Sequence, residues 1–222
     1  MFPLHDDQPR YSKPVVCILL VVLNAVVFLH EMQLDDYSRN FFIAHYGVIP
    51  EHFHAYTLIT SQFLHGGWLH IIGNMVFLWA FGRSLEDAMG SFKFLIFYLL
   101  CGVAAGLTQA FVTAGSHVPS IGASGAIAGV MGAYVLKFPK AQIYSLVFIV
   151  MFITRLEIAA IFFIPYWFLM QLLNGAGSIG YSNVSESGVA WFAHIGGFIA
   201  GMALVNLMGT RSRYVRGRQY RW

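Results

Sequence analysis

The sequence predicts an all-α fold, a polytopic membrane bundle of six transmembrane helices, and three observations carry that prediction. Of the 222 residues, 58% are hydrophobic and 10% charged, against about 25% charged in soluble domains. Mean hydropathy is +0.65. Apolar runs recur at lengths near the roughly 17 to 25 residues needed to cross a ~30 Å hydrocarbon core.

The first run, Val15 to Glu31, follows Arg10 and Lys13. His30 and Glu31 stand where a signal peptide would carry small cleavage-site residues, so the run reads as a retained helix. The connection from Met32 to Gly67 is too long for a passive turn and too aromatic for a disordered linker, and is expected to pack on the outer leaflet. Further spans are expected at Leu69 to Leu85, Phe92 to Val112, Ser124 to Phe138, Leu156 to Leu173 and Gly188 to Met208.

The segment "AQIYSLVFIVMFI" (Ala141 to Ile153) is short for a span and rich in β-branched and aromatic residues. Charge decides how to count it, because Lys and Arg collect in cytoplasmic loops. Six helices with a cytoplasmic N-terminus leave Arg39 as the one Lys or Arg on the outer side, whereas a seventh would place the five-arginine tail there. Ala141 to Ile153 is therefore read as interfacial or partly inserted. The domains expected are a cytoplasmic segment 1–14, a membrane domain 15–208 and a basic tail 209–222. Beside a membrane helix that tail suits anionic lipid headgroups better than nucleic acid. Cys17 and Cys101 lie in apolar spans and read as small buried hydrophobes, not as a disulfide or metal pair. No cofactor and no metal are expected.

Polar groups inside spans are costly, so each is a functional hypothesis. His70 and Asn74 are four apart and share a helix face; they could tie helices together, bind a metal, or donate hydrogen bonds to a substrate oxygen. His65 precedes them. His194 lies near the outer end of the last span, on one face with Gly197 and Gly201. The fourth span opens as "IGASGAIAGVMGA", with Gly125 and Gly129 four apart. Two small faces pack closely in a membrane, which would bring Ser124 and His194 together.

Depth adds a second argument. From Ser124 to Phe138 the fourth span covers only about 22 Å. Anchored at Lys137 and Lys140, it would start about 8 Å below the outer edge of a ~30 Å core. Free N–H groups and the positive end of the helix dipole gather at that start. Irregular backbone at such depth needs protein cover or a wet cavity.

Together "HGGWLHIIGN", "GASG" and "AHIGGFIAG", in three separate spans, resemble the rhomboid family of intramembrane serine proteases. The resemblance runs from Val15 to Met208. It implies Ser124 as nucleophile and His194 as general base, with His70, Asn74 and the Ser124 backbone N–H as the oxyanion hole. His65, Gly122, Gly197 and Gly201 would support the site, and Glu86 and Gly90 fit the family's second cytoplasmic turn. The substrates implied are single-pass membrane proteins cut near their outer boundary, with the lipid bilayer as setting and no nucleic acid as partner.

Two features depart from the family's pattern. The first outer loop lacks a Trp-Arg pair, and Ala128 stands where some members carry a tyrosine against the histidine. The fifth span, with Trp167, Phe168 and "NGAGSIGYSNVSESG" after it, reads either as gate and cap or as an ordinary surface loop. The absence of a further domain or organelle presequence points to a bacterial cell membrane. A transporter would need interrupted helices in corresponding positions of two halves. A metalloprotease using His65, His70 and His194 would need a His-Glu-x-x-His helix. The sequence offers neither; against a third alternative, an inactive family relative that only binds membrane helices, stands the presence of both Ser124 and His194.

Overall fold

The computed structural model describes residues 2–149, 152–180 and 190–211. Its elements are β1 (Phe2–Asp6), α1 (Val15–Glu31), α2 (Asp36–Tyr46), α3 (Thr57–Thr60), α4 (Trp68–Phe77), α5 (Arg83–Met89), α6 (Ser91–Val112), α7 (Ser124–Lys137), β2 (Gln142–Ile149), β3 (Phe152–Ala159), α8 (Ala160–Gly180) and α9 (Trp191–Met208). A π-helical stretch, Leu78–Gly82, joins α4 to α5.

The fold is mostly helical, with α7 at its centre. Every residue from Gly125 to Tyr134 is buried, the condition of a helix that is apolar all round. Across from it, Gly197 and Gly201 of α9 lie so close to the carbonyls of Gly125 and Gly129 that a Cβ on either would overlap the backbone oxygen. The expected pairing of two glycine faces is therefore what the chain builds. On its other side α7 meets α6, where a Cβ at Gly125 or Gly129 would lie 2.5 Å from the Cβ of Ala105 or Cys101.

The start of α1 shows how the bundle replaces a local cap. Pro14 offers no side-chain acceptor at the helix start. The Glu86 carboxylate from α5 accepts the N–H groups of Val16 and Cys17 at 2.9 Å each, and the Ser91 hydroxyl at 2.6 Å. Those donors would otherwise be unsatisfied. Gly90, at φ 88°, turns the chain between α5 and α6, a left-handed conformation that a Cβ disfavours. Gly90 thus stands at a turn, as expected, while Glu86 lies inside α5 one turn before it.

The all-α expectation needs correction. β1, β2 and β3 form an antiparallel sheet in that order, at the Lys137 end of α7. Ala141–Ile153 is strand over most of its length, and β3 continues to Ala159, so the helix expected from Leu156 begins at Ala160. Pairing runs from Gln142↔Ala159 to Ile149↔Phe152. Burial alternates from Ala141 to Val147, with Ile143, Ser145 and Val147 inside, the two-residue period of a strand. Apolar residues such as Leu146 also fill the outward positions, which hides that period from hydropathy. Residues 1–14 likewise include a strand: β1 pairs with β2, and Asp6 accepts a 2.6 Å hydrogen bond from the Tyr134 hydroxyl.

Among the described residues, Ser91–Val112 and Trp191–Met208 are long and apolar enough to cross a bilayer, while Val15–Glu31, Ser124–Lys137 and Ala160–Leu173 are shorter apolar helices. The expected second span is divided into α4, the π-helical stretch and α5. Of the expected cap, residues 174–180 continue α8 in backbone, and 181–188 lie outside the described residues, as does the tail from 212 to 222. The connection expected on the outer side contributes α2, with no buried residue. Arg39 ties it down by donating to the Gly66 carbonyl at 3.1 Å. The Asp35 carboxylate caps α2 by accepting the Ser38 N–H at 2.9 Å and its hydroxyl at 3.0 Å, and those two donors hold its pKa below the usual value.

Candidate active site

α7 starts at Ser124 with no side-chain cap, and its first intrahelical bond runs from the Ile127 N–H to the Ala123 carbonyl at 3.0 Å. The amides ahead of that bond gather at the free helix end. Gly122 positions the turn before it. At φ 120° its backbone is one that side chains rarely adopt, and its N–H donates to the Ser61 carbonyl at 2.8 Å.

The Ser124 hydroxyl lies 2.7 Å from His194 Nε2. His194 is near the start of α9, where the Ala193 N–H donates to the Gln109 side-chain oxygen of α6 at 3.1 Å. The opposite ring nitrogen of His194, Nδ1, is 2.7 Å from Gln171 Oε1 on α8. A proton on Nδ1 would leave the Nε2 lone pair free to accept from the serine hydroxyl. The rings of Trp167 and Trp191 flank the imidazole at 5.9 and 6.0 Å between centroids. The aromatic contact that Ala128 cannot supply comes instead from α8 and from the first residue of α9.

Two more donors converge from α4. His70 Nδ1 accepts the Gly66 N–H at 3.4 Å, leaving Nε2 as the protonated nitrogen. A Cβ on Gly122 would lie 2.7 Å from that Nε2 and 3.7 Å from Asn74 Nδ2, so both groups stand beside the loop that delivers Ser124. Asn74 Nδ2 spends one hydrogen on His65 Nε2 at 3.0 Å and has a second to give. His65 is fully buried. Its Nδ1 is 3.3 Å from the Phe63 carbonyl and its backbone N–H donates to the Glu31 carboxylate at 3.2 Å. It orients Asn74 rather than facing substrate.

His70, Asn74, Ser124, Gln171 and His194 line one cleft of about 550 Å³, walled by Phe77, Ile121, Trp167 and Trp191. A second groove of similar volume, between α1 and α4 beside Phe28, Trp68 and Trp79, has only apolar side chains around it. The sequence-predicted site residues are thus brought together, Gly197 and Gly201 acting through the α7–α9 contact. His65, His70 and His194 form no metal cluster. Among the described residues, the His/Cys/Asp/Glu group with converging ligand atoms is Glu51, His52 and His117, exposed on two loops outside the cleft. Sequence reasoning missed Gln171. Its signal was a lone amide in the apolar run "YWFLMQLL", whose partner ring lies 23 positions away on another helix.

Residues 52–211 match the Rhomboid domain family. The chain is 30% identical over 156 residues to rhomboid-like protein 11, chloroplastic, of Arabidopsis thaliana, covering 69% of this chain and 52% of that protein. It is 36% identical over 96 residues to rhomboid protein 1, mitochondrial, of Saccharomyces cerevisiae, covering 41% and 28%. The human presenilin-associated rhomboid-like protein, mitochondrial, is 34% identical over 97 residues, covering 43% and 25%. The chain thus spans about half the length of the first and about a quarter of the other two. Those names place all three relatives in chloroplast or mitochondrion, at odds with the bacterial membrane expected from the sequence. By the match over 52–211 and the identity to the Arabidopsis protein, the chain belongs to the rhomboid family of membrane-embedded proteins.

Proposed function

We propose that the chain is an intramembrane serine endopeptidase that cuts single-pass membrane proteins through a Ser124–His194 dyad. One observation carries the reading: the 2.7 Å hydrogen bond between Ser124 Oγ and His194 Nε2, at the floor of a cleft that also presents His70 and Asn74. Packing accounts for the glycines around the serine but gives no reason for an imidazole to meet it.

In the proposed reaction, His194 Nε2 takes the hydroxyl proton as Oγ attacks the scissile carbonyl, and returns it to the leaving amine. The oxygen that gains charge is met by His70 Nε2–H, the second Asn74 Nδ2–H and the Ser124 N–H, with the helix end of α7 adding its partial positive charge. Water then enters the cleft, His194 takes its proton as it attacks the acyl carbonyl, and the proton returns to Ser124 Oγ as the ester bond breaks and the acyl group leaves as a carboxylic acid. No metal or organic cofactor is called for.

A substrate helix must unwind before its carbonyl is reachable, because helical backbone groups are already paired. Segments rich in Gly, Pro or small residues are the preferred class. Entry is proposed between α4 and α8, where the rings of Phe77 and Trp167 meet at 6.3 Å. The distribution of Lys and Arg supports six spans, both termini on the cytoplasmic side and a cleft opening outward.

The test is cleavage of a single-pass model substrate in proteoliposomes. Parent protein cuts it, while Ser124→Ala and His194→Ala do not. Cleavage at the parental rate by Ser124→Ala contradicts the proposal.

A further inference from the structure

We infer that Gln171 is a positioning residue for the base: its side-chain oxygen accepts the Nδ1–H of His194 and so selects the tautomer whose Nε2 faces Ser124. The inference rests on the dyad proposed above and extends it to a third side chain. Gln171 and His194 are each 8% exposed and 2.7 Å apart, so solvent does not compete for the bond.

The choice of an amide follows from the setting. An orienting acceptor in soluble serine hydrolases is a carboxylate, which also stabilises the imidazolium that forms. Inside a membrane protein a buried carboxylate carries a heavy desolvation cost. An amide oxygen supplies the direction without the charge. Its own NH₂ points away from the imidazole in this arrangement; the flipped amide would donate to Nδ1 and leave the proton on Nε2, where it blocks transfer from Ser124.

Position on the helix extends the point. Trp167 and Gln171 are four apart and share a face of α8; one sets its ring at a tilt beside the imidazole and the other bonds to it. A single face of α8 therefore fixes both the plane and the tautomer of His194. Any displacement of α8 that opens the Phe77–Trp167 contact also loosens the base, so substrate entry and base alignment are coupled through one helix.

The experiment uses the full chain in proteoliposomes with a single-pass substrate, comparing Gln171→Leu, which removes the acceptor at similar volume, with Gln171→Glu, which keeps one. Nitrogen-15 NMR of the histidines, with His194 assigned by comparison with His194→Ala, reads the tautomer. In the parent, the His194 proton should reside on Nδ1. Gln171→Leu should mix the tautomers and lower kcat about 10- to 10²-fold, with KM within about twofold; Gln171→Glu should recover most of the rate. A parent His194 protonated on Nε2 overturns the inference even if no variant folds. So does a Gln171→Leu protein with parental kcat, or a Gln171→Glu protein as slow as it, since the latter marks the fit of the side chain rather than its acceptor. Cleavage that survives Ser124→Ala defeats the dyad itself and is separate from these results.

Discussion

Replacing Gly197 by alanine should inactivate the protein with little change in its chemistry. Gly197 lies three residues past His194, against the carbonyl of Gly125, itself next to Ser124. A Cβ there falls inside that oxygen's van der Waals surface. Ordinary contact begins near 3.4 Å, so α7 and α9 must separate by about 1 Å or more to accept the methyl group. Overpacking of this kind costs about 1–3 kcal/mol. The catalytic effect is larger than that figure suggests, since the Ser124–His194 distance is 2.7 Å and productive proton transfer ends near 3.2 Å. A misplacement of about 1 Å costs about 10²-fold in rate. Cleavage rate in proteoliposomes, with a thermal melt alongside, measures both. Gly67→Ala is the control, because nothing lies within 4 Å of its added Cβ. A Gly197→Ala protein with parental activity would refute the claim that the glycine contact sets the dyad.

Asn74→Ala should slow acylation by about 10²-fold or less, the loss of one oxyanion donor, measured as single-turnover rate; unchanged turnover removes Asn74 from the site. Gly122→Ala forces a Cβ to 2.7 Å from His70 Nε2 at φ 120°, and should abolish cleavage while the remaining fold melts within a few degrees of the parent. Phe77→Ala removes an aromatic pair worth about 0.5–1.5 kcal/mol, and should raise cleavage of membrane-inserted substrate about 2- to 10-fold if entry is limiting, with no gain for a soluble peptide. Asp35 titrates below its ordinary value in the folded state, so the stability of the α2 cap is complete above pH 3.8 and is lost as pH falls through the folded pKa; hydrogen exchange of the Ser38 and Arg39 amides should rise relative to their intrinsic rates only in that acid range.

The parts of the site legible in the sequence are those whose physics is local. Ser124 among glycines, a helix too short for its membrane, and a histidine on a small-residue face each violate what a packing helix needs, and each violation pointed to a neighbour. Gly90 was legible as a turn, although Glu86's place inside α5 and the caps it makes on α1, about 70 residues back in the chain, were not. Gln171 was hidden for a comparable reason: an amide in an apolar helix has no local partner, and its meaning lies in a ring 23 positions away. The sheet escaped because two signals cancelled. Ile143, Ser145 and Val147 face inward, but a polar residue sits in that inward row and apolar residues sit opposite, so alternation of burial never became alternation of hydropathy. β1 was harder still, since four of its five residues pair with a strand some 140 positions later. His194 showed the reverse case: the missing tyrosine at position 128 suggested a less supported base, and the chain instead places Trp167, Trp191 and Gln171 around it.

The most direct measurement is covalent labelling of the purified protein with a fluorophosphonate, followed by mass-spectrometric mapping of the modified residue. A dyad at the end of α7 predicts one adduct, on Ser124, formed at a rate that collapses in His194→Ala. Cleavage that is abolished by a chelator, with Ser124 left unlabelled, would contradict it.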